Sequence, residues 1–257
     1  MSAVENVMKN IHIQSPTRVD LAGGTLDMWP LYNFVDSKWQ GQVCTINVAI
    51  DIYTDVQIQT GTSQIILESK DIQLKAEFAN LESLLSSSDN KLSLYQSVIL
   101  YFQKPLQSYF KQHKGFHLIT SSQSPVGGGL GGSSSLMISL LKSFAKLCQF
   151  QFKDDHHMVQ VAHNLEASLL RTPTGTQDYY PAVSGGINIL NYSPDGIQQK
   201  ILPVDSNSYL EKHFLLVYTG KSHHSGINNF EVLKKAVTGD QRTLMALNRV
   251  AKIAVET

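Results

Sequence analysis

Three observations predict an α+β fold: strand signals crowd the first half of the chain, helical periods dominate the second, and the two do not alternate as regular βα units. At 257 residues the chain is long enough to bury a core without a disulfide or metal staple. Ile11, His12 and Ile13 lead as a strand into SPTRVDLAGG, and 43–59 (VCTINVAIDIYTDVQIQ) is β-branched and partly alternating, as a strand is. QIILES and IQLKAEF, either side of Lys70 and Asp71, read as a hairpin. A helical period runs through Leu92, Leu94, Tyr95, Val98, Ile99 and Phe102, and a short strand, GFHLITS, starts at Gly115. The apolar stretch 136–150 (LMISLLKSFAKLCQF) has helical spacing. Asp154 is placed to cap a helix that ends near Leu170, where TPTGTQD at 172–178 interrupts it. GGINILNY and HFLLVYTG read as later strands, and two amphipathic helices, roughly 227–237 and 241–255, follow.

Composition narrows the function classes. Apolar residues make up 42% and charged residues 16%, and 21 Lys plus Arg balance 21 Asp plus Glu. A broad polyanion-binding surface needs a basic excess, so neither nucleic acid nor an anionic membrane is expected as a partner. The opening MSAVENVMKNIHIQ lacks a basic region followed by an apolar one, and no apolar run approaches the roughly 18 residues of a membrane span, so the expectation is a soluble cytoplasmic protein. Cys44 and Cys148 form no closely spaced pair and read as reduced interior thiols. A phosphate-rich ligand would have to be held locally, by backbone N–H groups and a few side chains.

The segment SPVGGGLGGSSS, 124–135, offers such a site. Five of the six residues from Gly127 to Gly132 are glycine, and serines follow at the start of a buried helix. Glycines let the backbone approach a ligand, and a helix N-terminus supplies free N–H donors and the positive end of its dipole. A Walker A loop is not formed, because Ser133 stands where that motif requires lysine. Gly127, Gly129 and Gly132 do satisfy G-x-G-x-x-G, with Asp154 and Asp155 some twenty residues on, which keeps a nucleotide-cofactor oxidoreductase as the alternative.

PVGGGLGGSSS, 125–135, resembles the second motif of the GHMP kinases (galactokinase, homoserine, mevalonate and phosphomevalonate kinases), approximately P-x-x-x-G-L-G-S-S-[AS]. SPTRVDLAGGTLD, 15–27, resembles their first motif, and TGTQDYYPAVSGG, 174–186, resembles the segment that carries their catalytic aspartate. The three occur in the family's order. TRVDLAGGTLDMWP and YTGKSHHSG are most similar to the group that includes D-glycero-D-manno-heptose 7-phosphate kinase and L-fucose kinase.

The resemblance implies a two-domain fold, with a domain like the second domain of ribosomal protein S5 over 1–190 and the start of a ferredoxin-like domain over 191–257. It implies an ATP- and Mg²⁺-dependent kinase acting on a small sugar or sugar phosphate, and is compatible with a homodimer. Pro125, Gly127, Gly128, Gly129, Leu130, Gly131, Gly132, Ser133, Ser134 and Ser135 would hold the ATP phosphates. Ser133 and Glu166 match the metal-binding positions, Asp178 the general base, and Arg18 the cation that orients the base or neutralises phosphoryl charge. Asp27, Gly24 and Asp178 would face the sugar.

Departures from the family pattern carry their own expectations. Gly132 replaces the first serine of G-L-G-S-S, and Gly24 and Thr25 replace the Glu-His of galactokinase, so galactose is not expected as the substrate. No third motif of the type G-A-G-G-G-G occurs between Ile187 and Thr257, which leads to the expectation of an incomplete second domain. His156, His157, His163, His223 and His224 show no ligand spacing, so no histidine metal site is expected. The loop 221–225 follows a predicted strand and could reach the substrate. A non-enzymatic alternative is a kinase fold that binds sugar or nucleotide without turnover.

Overall fold

The computed structural model describes residues 10–202, 209–220 and 225–257. In chain order the elements are β1 (Asn10–Ala22), β2 (Cys44–Thr60), β3 (Ile65–Ser69), β4 (Leu74–Phe78), α1 (Leu81–Leu85), α2 (Ser93–Tyr101), α3 (Gln103–Phe110) and β5 (Phe116–Ser122). They continue with α4 (Gly132–Cys148), α5 (Asp155–Leu170), α6 (Tyr179–Ser184), β6 (Ile187–Ser193), β7 (Gly196–Leu202), α7 (Tyr209–His213), α8 (Ser225–Val237) and α9 (Gln241–Glu256). The α+β expectation holds, with one sheet carrying all the described strands.

The strand β2 is the centre of that sheet. Its β-branched sequence pairs antiparallel with β1 along most of its length, while β5 takes Thr54 to Thr60 and β6 takes Cys44 to Val48. The predicted hairpin around Lys70 and Asp71 is β3–β4, and β3 runs parallel to β5. β6 and β7 form a second hairpin, which straddles residue 190. Its second strand, GIQQKIL, has a polar run between its apolar ends and gives no alternating apolar signal.

The apolar face of α4 packs with α2, α5 and one face of the sheet into the main core, where Phe102, Phe116 and Phe144 meet at ring-centroid distances of 5.6–5.9 Å. Asp154 caps α5 as its sequence predicts, accepting from the His157 N–H at 2.7 Å. A second, smaller core joins the β1–β2 connection to the last two helices through Leu26, Met28, Leu31, Val43, Ala236, Leu247 and Ala251. This core brings the end of the chain to the end of β1.

One predicted strand is not found. HFLLVYTG begins in the last residue of α7 and continues without strand pairing, with Phe214, Leu215, Leu216, Val217 and Tyr218 all exposed. A strand is a ladder between two chains, and no described strand pairs with this run, so its apolar composition misleads. Cys44 is buried and Cys148 half-buried, both as free thiols.

Candidate active site

The strand β1 delivers the central cation. Its register with β2 shifts between Pro16 and Thr17 and again between Asp20 and Ala22, so irregularities flank Arg18 on both sides, and such bulges re-aim side chains. Arg18 Nε and Nη2 donate to Asp178 Oδ1 at 2.8 and 2.7 Å, and Nη1 donates to the Gly129 carbonyl at 2.7 Å. The Arg18 backbone N–H donates to the Leu130 carbonyl at 3.1 Å. Burial works against the guanidinium charge, but Asp178 and Asp20 outweigh it and raise the Arg18 pKa. The ion pair with Asp20, expected from their closeness in sequence, exists at 3.1 Å, but the contacts to Asp178 are shorter.

The glycine loop forms the wall next to Arg18. Gly127, Gly129 and Gly131 have φ of +70°, +77° and +68°, which a side chain would resist. Gly131 caps α4 without any side-chain hydrogen bond, leaving the helix's first turn to meet a ligand. A Cβ on Gly131 would lie 3.3 Å from the Asp178 carboxylate, and one on Gly132 would lie 3.2 Å from the Ser124 hydroxyl, so a side chain at either position would crowd its neighbour. Ser135 points the other way: fully buried, it bonds the Ser15 carbonyl at 2.9 Å and shares a hydroxyl ladder with Thr54 and Ser139. It anchors α4 to β1 and β2 and does not line the cavity, unlike Pro125, Leu130, Ser133, Ser134 and the glycines.

Glu166 enters from α5. Ser133 Oγ donates to its Oε1 at 2.5 Å, and Ser134 Oγ and Tyr179 OH donate to its Oε2 at 2.9 and 2.6 Å. A buried carboxylate beside a serine hydroxyl, at the N-terminus of α4, suits Mg²⁺, which takes few protein oxygens and completes its shell from phosphate and water. Among the described residues, no group of three or more His, Cys, Asp or Glu converges as a metal cage.

Asp27 lies at the inner end. It is buried, accepts from the Gln177 N–H at 3.1 Å, and touches Gly175 so closely that a Cβ there would lie 1.8 Å from its Oδ2. Burial, with the nearby Asp178 charge adding to it, pushes the Asp27 carboxyl up to about 6. Desolvation in the cleft raises Asp20 to about 7, opposed by Arg18 and reinforced by Asp178 and Asp27. One guanidinium among three carboxylates cannot neutralise all of them.

Loop, helix terminus, Arg18, Gly24, Asp27, Glu166 and Asp178 all line one cavity of about 560 Å³. Sequence reading missed further residues in its wall: Asp20, Thr25, Asp71, Lys91, Tyr95, Gln177 and Asn229. Thr25 has φ +83° and donates to Asn229 of α8 at 3.3 Å, a contact supplied by the second core, to which no local motif points. His156 and His163 have other partners, the Tyr180 hydroxyl at 2.7 Å and the Thr174 carbonyl at 3.0 Å. His223, His224 and most of the loop 221–225 lie outside the described residues. The oxidoreductase alternative is overturned by topology: α4 leads into α5 and α6 and then an antiparallel strand, so the glycines do not open a βαβ unit.

Residues 93–186 match the GHMP kinases N terminal domain. A D-glycero-alpha-D-manno-heptose 7-phosphate kinase of Campylobacter jejuni is 28% identical over 252 residues, covering 97% of this chain and 70% of that protein. Two solved structures share the fold. A D-glycero-D-manno-heptose 1-phosphate kinase from Bacteroides thetaiotaomicron superposes with a TM-score of 0.64 at 22% identity, over 95% of this chain and 75% of the other. The Lactococcus lactis galactokinase complexed with galactose superposes with a TM-score of 0.61 at 14% identity, over 96% and 67%. The fold is the one that these two solved structures share. Residues 93–186 thus carry a GHMP kinases N terminal domain, within a fold shared over nearly the whole chain.

Proposed function

We propose that this chain transfers the γ-phosphoryl group of ATP to a hydroxyl of a heptose-like or fucose-like sugar or sugar phosphate. One observation carries the reading: Arg18 holds both the glycine loop, through the Gly129 carbonyl, and the Asp178 carboxylate. The groups that would grip phosphate and the group that would take the acceptor's proton are therefore fixed to one cation.

Phosphoryl transfer asks mainly for positioning and charge neutralisation. The first-turn N–H groups of α4 and the loop from Gly127 to Gly132 meet the phosphates. Asp178 accepts the proton of the attacking hydroxyl as its oxygen bonds to the γ-phosphorus and ADP leaves. Arg18 keeps Asp178 in place and adds positive charge where the equatorial oxygens gather negative charge. Ser133 and Glu166 would hold Mg²⁺, which when bound neutralises the phosphates. Asp27 and Gly24 would face the sugar. Assignment of 1–190 and 191–257 to two domains belongs to the same reading.

An ATP-consumption assay over heptose 7-phosphate, free heptose, L-fucose and galactose tests it. Turnover with a heptose or fucose and not with galactose is the expected result. Binding of ATP·Mg²⁺ without turnover on any sugar would favour a non-catalytic binding protein.

A further inference from the structure

Glycine at position 24 has no backbone or packing reason. Its φ is not positive, and a Cβ there would meet nothing nearer than Gln177 Nε2 at 3.8 Å and Asp20 Oδ2 at 4.0 Å, which is ordinary contact or looser. Gly23, its neighbour, is the opposite case, with a φ of +82° and a Cβ position 2.2 Å from the Cys44 carbonyl. The floor at Gly24 is thus an open place in the cavity wall on which a side-chain donor and a side-chain acceptor converge.

Both groups are held from behind and free in front. Asp20 Oδ1 is tied to Arg18 Nε at 3.1 Å, and no described residue donates to Oδ2. The Asp20 side chain keeps 31% of its exposure although it sits beside a guanidinium. Gln177 is nine-tenths buried and pinned at both backbone ends, its N–H on Asp27 and its carbonyl on Asn47 Nδ2 at 3.2 Å, yet its side-chain Oε1 is buried without a partner and Nε2 has none among the described residues. Oε1 is sealed off without a partner, which is costly, whereas Nε2 is not fully buried and is left to donate to a ligand in the cavity that Gln177 lines. A hydroxyl is the complement of such a pair, since it donates and accepts at once.

We propose that Asp20 and Gln177 clamp a second hydroxyl of the acceptor over Gly24, beside the hydroxyl that faces Asp178, and so set which sugar is phosphorylated. This rests on the kinase reading above. The acceptor class it selects is a polyol with a free hydroxyl next to the reacting one. A site built to hydrogen-bond a hydroxyl rejects the analogue lacking it strongly, because its own polar groups are then left unpaired.

Gly24→Ala is the informative variant, because the geometry tolerates the added methyl while the methyl occupies the gap. Measured with the acceptor that the wild type uses best among heptose 7-phosphate, heptose and L-fucose, its KM should rise about 10- to 100-fold. The melting temperature of the free protein and its rise with ATP·Mg²⁺ should stay within a degree or two of wild type. Gln177→Met should show the same KM split, with an unchanged or higher melting temperature because an unpartnered amide is removed. An active wild type with unaltered KM in both variants overturns the clamp and leaves the kinase reading standing, as does a loss of fold and ATP response in both. A wild type active on no sugar overturns the kinase reading and the clamp with it.

Discussion

Arg18 and Asp178, 160 residues apart in sequence, share a single carboxylate oxygen: Oδ1 accepts from both Nε and Nη2, which turns one face of the carboxylate toward the guanidinium. The glycine at 131 closes against the same carboxylate, 3.3 Å from where its Cβ would be. Asp178 is therefore held on two sides by the elements that would hold the nucleotide.

Replacing Asp178 by asparagine keeps the shape and the acceptor oxygen but removes the proton acceptor. Turnover should fall roughly 10²- to 10⁴-fold while the thermal response to ATP·Mg²⁺ persists. Steady-state kinetics beside a thermal-shift titration reads both, and a variant within a few-fold of wild type would remove Asp178 from the base role.

Arg18→Met removes the cation paired with Asp178 and Asp20 and releases the Gly129 carbonyl. Leaving buried charge unpaired should cost about 2–4 kcal/mol of stability, read by urea unfolding at pH 8, with turnover lost. Arg18→Lys should recover most of the stability and little of the turnover, since an ammonium cannot bridge the carboxylate and the loop as the planar fork does.

Tyr179 supports Glu166 from the residue next to the proposed base. Tyr179→Phe should cost about 1 kcal/mol in stability. It should also raise the Mg²⁺ concentration needed for half-maximal ADP binding by calorimetry several-fold, and Glu166→Gln should raise it further. Equal Mg²⁺ dependence in all three proteins would separate Glu166 from metal binding.

Asp27 gives a pH signature. Its carboxyl is raised from the ordinary 3.8 to about 6 in the folded protein, so between these values the folded state binds more protons than the unfolded one. The Asp27 share of stability should then fall as pH rises through that window, by up to about 3 kcal/mol, and Asp20, raised to about 7, extends the decline to that pH. Asp27→Asn, which can still accept from the Gln177 N–H, should flatten this slope in denaturant unfolding followed from pH 4 to 8.

What was legible in the sequence was local. The glycine loop is a short pattern whose chemistry is set within a few residues, Glu166 and Asp178 stand out only through the family resemblance of their segments, and one cavity gathers all three. The residues missed are those placed by distant packing. Asn229 reaches Thr25 because Ala236, Leu247 and Ala251 pack on Leu26 and Met28, a contact no window of sequence contains. Asp71 looked like the turn of a hairpin, and is one, yet its Oδ1 also accepts from the Ser122 N–H at 2.9 Å and its side lines the cavity. Ser135 failed in the opposite direction: it belongs to the motif by spacing, but the 3.6-residue turn of α4 carries it round to the core while Ser133 and Ser134 meet Glu166.

The two irregularities in β1 mean that the chemistry depends on strand alignment as much as on side-chain identity. Successive residues of a strand face opposite sides, so removing one residue between Pro16 and Arg18 would swing the guanidinium to the far side of the sheet with every side chain still present. Insertions and deletions in that short stretch should therefore be as damaging as losing Arg18 itself.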